Sequence, residues 1–401
     1  MSNMSGFKLL TFLSGLNFVI TYGVFCVEVG INYGQIANNL PSHSHVVLLL
    51  QSLNITRVKL YDADPGVLTA FKNTPVEFTV GIGNENVASM RDSSKALEWI
   101  KQNIQPYLYH TRIVCITVGN EILGGKDRAL MTNLLPAMKS VYAGLSSLGL
   151  QKRINVTTPH SLNILGASYP PSSSKFKSSV ARYLRPILRF HSTVNSPFLI
   201  NIYPYFAYKQ DPDHVSLQYV LFQRNQGVTD PVTKLRYDNM LYAQIDCVHS
   251  AIRAMTKGFS AAAGVNGGDI DVKISETGWP SKGDSNEPGA TPENAGIYNR
   301  NLMGRIRLRQ GTPLKPSVPI DAYVFALFNE NLKPGPTSER NYGLLYPTGK
   351  PVYSLLESRN LSPPIFDVYS SSASSKPTNV VIIDRILIDL PRIFLIGFII
   401  M

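Results

Sequence analysis

Two glutamates follow apolar runs of strand length and could together cleave a glycosidic bond. Glu121 comes three residues after the run Arg112–Val118, and Glu276 lies within Asp271–Ser281, where a predicted buried strand meets an aromatic turn. Enzymes that cleave glycosides commonly use two carboxyl groups, one protonated to assist the leaving oxygen and one ionised. The two positions therefore indicate glycoside chemistry.

Eight apolar runs of strand length recur along the chain, with helical patterns between them. Several are continuous rather than alternating, which is typical of strands buried on both faces of a parallel sheet. In chain order they are Val27–Tyr33, Arg57–Tyr61, Glu77–Ile82, Arg112–Val118, Ile154–Thr158, Phe198–Tyr203, Val272–Ile274 and Ala322–Phe328. This alternation predicts an α/β fold, and it favours a closed (β/α)8 TIM barrel over an open doubly wound sheet.

Local signals predict two of the helices. Apolar residues between Leu130 and Leu145 repeat at the spacing of an amphipathic helix. Thr291-Pro292-Glu293 combines an N-cap residue, a proline at the first helical position and an acid in the first turn. Parallel barrels collect their active groups at the carboxyl ends of the strands. Glu121 and Glu276, at the ends of the fourth and seventh runs, are therefore expected at one face.

Residues 1–26 resemble a secretory signal peptide. Lys8 precedes the apolar run Leu9–Ile20, and Val24 and Cys26 suit the −3 and −1 positions of a cleavage site. Cleavage after Cys26 would remove one cation and no acid, and would change the formal net charge from +11 to +10. The alternative, an uncleaved membrane anchor, is disfavoured because the run is short for a span.

The excess of positive charge favours weak adhesion to polyanionic polysaccharide. Nucleic acid is disfavoured as a partner because the basic residues are scattered. Cys115 and Cys247 are expected to be buried free thiols without a disulfide framework. His110, His160 and His191 lack ligand spacing, so no metal site is expected.

The composition changes after residue 358, where the predicted catalytic domain of residues 27–358 ends. A polar linker covers residues 359–376, and an apolar tail covers residues 377–401. Small residues near Ser371, a spacer and the apolar end Ile393–Ile400 resemble a signal for a glycosylphosphatidylinositol (GPI) anchor. Four charges between residues 384 and 392 argue against a transmembrane helix. The alternative is an irregular tail on a fully secreted protein.

Five ordered motifs resemble those of plant endo-β-1,3-glucanases of glycoside hydrolase family 17. They are Gly30–Gly34, Val118–Glu121, Ile274–Ser281, Phe325–Gly335 and Glu339–Leu344. The resemblance covers roughly residues 28–358 and implies a (β/α)8 enzyme without a cofactor. It implies retaining hydrolysis inside β-1,3-glucan chains of the callose or laminarin type, by double displacement. In that mechanism Glu121 is the acid/base and Glu276 is the nucleophile.

Residues around the glutamates are predicted to bind substrate. Asn120 resembles the family position that hydrogen-bonds the sugar 2-hydroxyl, with a structural turn amide as the alternative. Tyr203 ends the sixth run and is placed to hydrogen-bond the nucleophile, although buried strand tyrosines are commonly core residues. Tyr33 would line the same rim. Trp279 would either stack on a sugar face or seal the top of the barrel.

Glu330, Lys333 and Glu339 match a charged cluster that flanks the family's cleft. A lysine beside two acids would hold their charge and orient them. The alternative for Glu339 is a solvated ion-pair loop.

Two other functions remain open at this point. A β-1,3-glucan transglucosylase would use the same site with a sugar as acceptor. A non-catalytic glucan-binding cell-wall protein would have lost one carboxylate, and both are present. The expected partner is β-1,3-glucan, and the chain is expected to be a monomer. Asn54, Asn155 and Asn360 begin glycosylation sequons, of which Asn155 falls in a predicted strand. Defence against fungal walls and remodelling of the plant's own callose are the two roles open to such an enzyme.

Overall fold

The centre of the fold is a parallel sheet, seen in a computed structural model that describes residues 29–257, 259 and 270–354. Thirteen strands lie within these residues: β1 (Gly30–Asn32), β2 (Arg57–Lys59), β3 (Glu77–Ile82), β4 (Arg112–Val118), β5 (Asn155–Thr157), β6 (Pro159–Ser161), β7 (Leu165–Ala167), β8 (Lys175–Phe176), β9 (Phe198–Asn201), β10 (Val228–Thr229), β11 (Arg236–Tyr237), β12 (Val272–Thr277) and β13 (Ala322–Val324). Strands β7 with β8, and β10 with β11, form separate antiparallel pairs.

The other nine strands form a barrel in the order β5-β4-β3-β2-β1-β13-β12-β9-β6. Strands β5 and β6, at the two edges, are consecutive in the chain with only Thr158 between them. They share one barrel position, so the edges meet and the predicted (β/α)8 barrel is confirmed. The predicted run Ile154–Thr158 is too short, because the strand breaks at Thr158 and resumes at Pro159.

Other predicted runs differ from the strands at their ends. Strand β9 stops at Asn201 rather than Tyr203, and β13 stops at Val324 rather than Phe328. Of the residues beyond these ends, Ile202 and all four from Phe325 to Phe328 stay buried without continuing the strand ladder, so apolar character overestimates strand length. Strand β12, in contrast, continues past Ile274 to Thr277.

Helices follow most of the barrel strands. They are α1 (His43–Ser52), α2 (Pro65–Ala70), α3 (Ser93–Asn103), α4 (Arg128–Ser147), α5 (Ser178–Val194), α6 (Pro204–Gln210), α7 (Leu217–Val220), α8 (Met240–Thr256) and α9 (Pro292–Arg307). The predicted amphipathic segment lies inside α4. At α9 the Thr291 side chain accepts the Asn294 backbone N–H and Pro292 is the first helical residue, which confirms the predicted cap.

Charged side chains fill the amino end of the barrel interior. Arg57 on β2 pairs with Asp321 at 2.6 Å, and Lys273 on β12 pairs with the same carboxylate at 2.8 Å. Their mutual pairing compensates for the loss of hydration on burial. Side chains two residues apart on a strand share a face, so Lys59 lies above Arg57 inside the barrel.

Several smaller predictions can be compared with the described residues. Cys115 and Cys247 are buried free thiols, as expected. Asn54 follows α1, and Asn155 is exposed although it begins β5. Within residues 29–257, 259 and 270–354, no helix is long and apolar enough to cross a membrane. The predicted leader (residues 1–26), linker and tail (residues 359–401), with Asn360, lie outside the described residues.

Candidate active site

Three hydrogen-bond donors enclose the carboxyl group of Glu276. The Lys59 ammonium and the Tyr61 hydroxyl both donate to Oε1, each at 2.8 Å, and the Tyr203 hydroxyl donates to Oε2 at 2.9 Å. Glu276 is 6 % exposed and Lys59 is 1 % exposed. Donors of this kind stabilise the carboxylate more than the carboxylic acid.

The pKa of Glu276 lies below its ordinary value. Burial alone would raise it, but the charge of Lys59 and the hydrogen bonds from Lys59, Tyr61 and Tyr203 outweigh burial. Glu276 is therefore an ionised carboxylate with little access to water. Such a group is suited to nucleophilic attack.

A break in strand register turns Glu276 toward the barrel interior. Side chains alternate between the two faces of a strand, so Lys273 and Glu276, three residues apart, should point to opposite faces. Both nevertheless contact inward-facing partners, and the pairing of β12 with β9 shifts between Ile274 and Glu276. An extra residue in one strand redirects the side chains that follow it. The shift thus brings Glu276 to Lys59.

Glu121 is positioned by the loop after β4. Its backbone has φ 55°, a left-handed conformation that residues other than glycine rarely adopt. Its N–H donates to the carbonyl of Pro159 at 2.9 Å, which fixes the loop to β6. The Asn201 side-chain amide donates to Glu121 Oε1 at 2.8 Å. The side chain of Glu121 is only half-buried.

The pKa of Glu121 is raised, opposite to the shift at Glu276. Burial is the main cause, and the negative charge of Glu276 adds to it, while the Asn201 hydrogen bond and the Lys59 charge act in the other direction. Glu121 therefore keeps its proton at pH values where an ordinary glutamate has lost it. It can serve as a general acid.

Asn201 links the two glutamates. It is the register partner of Glu276 on the neighbouring strand, and its side chain reaches Glu121. Neighbouring strands are separated by about 4.8 Å, so the two carboxyl groups share one opening at the carboxyl ends of the strands. The structure thus brings together one carboxyl group with a lowered pKa and one with a raised pKa.

Asn84 braces the backbone of Asn120. The Asn120 N–H donates to Asn84 Oδ1 at 2.8 Å, and the Asn84 amide donates to the Asn120 carbonyl at 3.1 Å. Asn201 Nδ2 lies 3.4 Å from Asn120 Oδ1. Within the described part of the chain, the Asn120 side-chain N–H₂ has no partner, so it can donate to a bound molecule.

In the predicted cluster of Glu330, Lys333 and Glu339, Lys333 forms an ion pair with Glu339 but not with Glu330, although its charge acts on Glu330. Lys333 Nζ lies 3.3 Å from Glu339 Oε2 and 4.1 Å from the centre of the Phe325 ring. Glu330 is 3 % exposed and accepts the Ile36 N–H at 2.8 Å instead of pairing with Lys333. Burial raises the pKa of Glu330. The two acids thus have different environments, and Lys333 directly orients Glu339 alone.

Two residues predicted to bind substrate are buried instead. Trp279 is 0 % exposed, donates its indole N–H to the Gly289 carbonyl at 2.8 Å and packs against Tyr205. Tyr33 is 1 % exposed and packs edge-on against Phe328. Neither ring has a free face for a sugar. For Trp279 the alternative of sealing the barrel top is correct, and the prediction that Tyr33 lines the rim is wrong.

Three residues that contact the two glutamates carry no motif in the sequence and were not predicted: Lys59, Tyr61 and Asn201. Lys59 and Asn201 each interrupt an apolar strand, and a polar side chain in a doubly buried strand requires a partner. That signal was sufficient to select both residues. Tyr61 carries no comparable signal, because tyrosines at strand ends are common in cores.

The histidines behave as core or surface residues. Burial lowers the pKa of His160 and of His191 to about 3, and His191 Nδ1 lies 2.8 Å from the Ser196 hydroxyl. His110 contacts Asn73 near the surface. Among the residues described, no three His, Cys, Asp or Glu side chains are grouped so as to hold a metal ion.

Known proteins share this sequence and barrel. Residues 29–356 match the family described as Glycosyl hydrolases family 17. Glucan endo-1,3-beta-glucosidase 14 of Arabidopsis thaliana is 61% identical over 328 residues, covering 82% of this chain and 81% of the relative. A glucan endo-1,3-beta-D-glucosidase of Olea europaea is 40% identical over 328 residues, covering 82% and 69%.

Solved structures agree with the sequence relatives. A β-1,3-glucanase and pollen allergen of Cryptomeria japonica superposes with a TM-score of 0.76 at 38% identity, covering 82% of this chain and 98% of that structure. A structure from a study of two plant β-glucan endohydrolases with distinct substrate specificities gives 0.73 at 34% identity, covering 81% and 99%. With a family match over most of its length and a barrel shared with these enzymes, the chain belongs to glycosyl hydrolase family 17.

Proposed function

We propose that the chain hydrolyses internal β-1,3-glucan linkages with retention of configuration, using Glu276 as nucleophile and Glu121 as acid/base. The names of the relatives support the substrate class. The observation that carries the two roles is the opposite direction of the pKa shifts of two carboxyl groups in one opening.

In the first step, Glu276 attacks the anomeric carbon while Glu121 gives its proton to the departing glycosidic oxygen. The bond from carbon to that oxygen breaks, and a covalent ester forms between the sugar and Glu276. Lys59, Tyr61 and Tyr203 keep the nucleophile ionised and oriented beforehand.

In the second step, Glu121 removes a proton from water, which attacks the anomeric carbon and releases Glu276. Formation of the ester has removed the negative charge of Glu276, one of the causes of the raised pKa of Glu121. The pKa of Glu121 therefore falls when the residue must act as a base. The Asn120 amide is the proposed donor to the sugar 2-hydroxyl, a contact that strengthens in the transition state.

The nucleophile is tested by Glu276→Ala with added azide. Turnover of laminarin should fall by more than a hundredfold, and azide should restore cleavage of an activated aryl glucoside as a glycosyl azide of inverted configuration. Residual activity above about a hundredth of wild type, without azide rescue, would remove Glu276 from this role.

Product analysis tests the endo-hydrolytic mode. Early digestion of reduced laminarin should give a spread of oligosaccharides, whereas glucose alone would mean an exo-acting site. Longer products at high acceptor concentration would indicate a transglucosylase on the same two glutamates.

For location, we propose secretion by the leader of residues 1–26 and a lipid anchor at the C-terminus, both on the sequence patterns alone. Expressed in plant cells, an anchored protein should leave the membrane fraction after treatment with phosphatidylinositol-specific phospholipase. Recovery of a peptide from residues 377–401 in soluble wall extract would contradict the anchor.

A further inference from the structure

A basic groove of about 560 Å³ lies beside the loop that carries Glu121. Three segments form its walls: the loop after Glu121 with the start of α4, Asn163 after β6, and the start of α5. The volume is in the range of sites that hold small ligands or a few units of a polymer.

The charge of the groove is one-sided. Four cationic side chains line it and no acid does: Lys126, Arg128, Lys177 and Arg182. In the described residues none of the four forms an ion pair with a carboxylate; Lys177 instead donates to the Asn163 amide oxygen at 2.7 Å. The adjacent Asp127 does not pair with these cations, because its side chain caps α4 by accepting the Leu130 N–H.

The local backbone reinforces this positive potential. Helix α5 has 17 residues, lacks a side-chain cap and has no acid in its first turn. Its positive N-terminal end therefore faces the groove uncompensated. Arg182 lies 4.6 Å from the centre of the Tyr183 ring and donates to the Tyr183 hydroxyl at 2.6 Å, so Tyr183 holds the guanidinium at the groove wall.

The groove opens on the same end of the barrel as the catalytic pair. Gly124, three residues after Glu121, lines it, and the Asn163 amide contacts the Gly124 carbonyl at 3.4 Å. Helices α4 and α5 begin at the carboxyl ends of the barrel strands, where the proposed active site lies. A polymer in the groove would thus run next to the glucan but not over the two glutamates.

We propose that this basic groove binds a uronate-bearing polysaccharide, whose carboxylates contact Lys126, Arg128 and Arg182. A neutral glucan cannot neutralise four cations that lack a carboxylate partner, whereas the carboxylates of an acidic sugar polymer can. The position of the groove beside a carbohydrate cleft favours an acidic sugar polymer over a phosphate backbone. Binding there would hold the enzyme in an acidic matrix while it cleaves glucan. This inference does not depend on the catalytic roles of the glutamates.

The test is binding of the full-length protein to de-esterified polygalacturonate. The triple variant Lys126→Gln/Arg128→Gln/Arg182→Gln should bind about tenfold more weakly at low salt, the combined effect of three exposed charge contacts. The difference should shrink as salt rises. Lys177 is left in place, because through Asn163 it supports the loop after Glu121.

The matched control is Lys72→Gln/Lys101→Gln/Lys152→Gln, which removes three exposed cations away from the groove. It should keep its affinity within about twofold, since net charge alone acts weakly. Methyl-esterified polygalacturonate, which lacks the carboxylate charge, should bind weakly to the wild type and to both triple variants. Laminarin hydrolysis should be unchanged in both triple variants.

Three results would overturn the inference. Equal losses in the two triple variants would mean non-specific adhesion by net charge. Tighter binding of RNA than of polygalacturonate at physiological salt, lost in the groove variant, would assign the groove to nucleic acid. A groove variant that also loses laminarin hydrolysis would make the groove part of the glucan cleft. A wild-type chain that binds polygalacturonate but does not cleave laminarin would contradict only the proposed function.

Discussion

The two glutamates of this barrel have the same side chain in opposite environments. Glu276 lies within a strand, is buried and receives three hydrogen bonds, one of them from an ammonium group. Glu121 lies in a loop with left-handed backbone, is half-buried and receives one hydrogen bond from an uncharged amide. Burial opposes ionisation at both positions, but only at Glu276 do the partners outweigh it.

This contrast shows that the number and charge of hydrogen-bond donors, rather than burial, give the two glutamates opposite pKa shifts. Lys59 is the decisive difference, since it contacts Glu276 directly and acts on Glu121 only at longer range. Substituting the donors to one glutamate should therefore shift mainly the pKa of that glutamate. A shift at Glu276 appears in the acidic limb of the pH–activity profile, and a shift at Glu121 appears in the alkaline limb.

Glu121→Gln tests the acid side with the largest expected effect. The amide cannot donate a proton to the leaving oxygen, so kcat/KM on laminarin should fall by about 10³. An aryl glucoside with an activated leaving group needs little protonation, and its first step should change far less. Equal losses on both substrates, compared by initial rates and burst kinetics, would exclude Glu121 as the acid.

Lys59→Met tests the nucleophile side. Loss of the ammonium raises the pKa of Glu276, because burial is then less well compensated. Since Glu276 acts as an anion, the acidic limb of the kcat/KM profile should move to higher pH, and activity near pH 5 should fall about a hundredfold. Glu121 loses only a distant charge, so the alkaline limb should move less.

Arg57→Met is the matched control for Lys59→Met. Arg57 lies on the same strand, two residues before Lys59, and forms an ion pair with Asp321 at 2.6 Å. It should lower the melting temperature without moving the acidic limb. A shift of that limb in Arg57→Met would mean that the charges inside the barrel together, rather than Lys59 alone, lower the pKa of Glu276.

Tyr203→Phe removes one neutral donor from Glu276 Oε2 and should have an intermediate effect. Loss of a hydrogen bond to a charged group corresponds to a rate loss of about tenfold. The acidic limb should move in the same direction as in Lys59→Met, but less. Tyr61→Phe removes a donor from Oε1, where Lys59 remains, so its rate loss should be smaller than that of Tyr203→Phe. A larger loss in Tyr61→Phe than in Tyr203→Phe would contradict the dominance of Lys59.

Asn201→Ala should have the smallest effect on activity and tests the environment of Glu121. The Asn201 hydrogen bond lowers the pKa of Glu121, so its loss should raise that pKa further. Because Glu121 must be protonated, the alkaline limb should move to higher pH, while the rate at the optimum changes by about threefold. Movement of the acidic limb instead would place Asn201 with the nucleophile.

The sequence by itself determined the barrel, the family and the positions of both glutamates. Continuous apolar runs separated by amphipathic segments leave few folds other than a parallel barrel. Ordered motifs around Glu121 and Glu276 then located the chemistry at strand ends. The environments of Trp279 and Tyr33 could not be read in this way, because an aromatic residue near a strand end has the same sequence signal whether it faces a cleft or the core.

Only the tertiary structure decided how the carboxyl groups differ. Strand periodicity alone places Lys273 and Glu276 on opposite faces, and the register shift in β12 places both inside the barrel. Lys59 then meets Glu276 across 217 positions of sequence. The pKa of a carboxyl group depends on charges and donors within a few ångströms. Those neighbours come from strands far apart in the chain, so a local pattern can select a polar strand residue such as Lys59 but cannot show which glutamate it contacts.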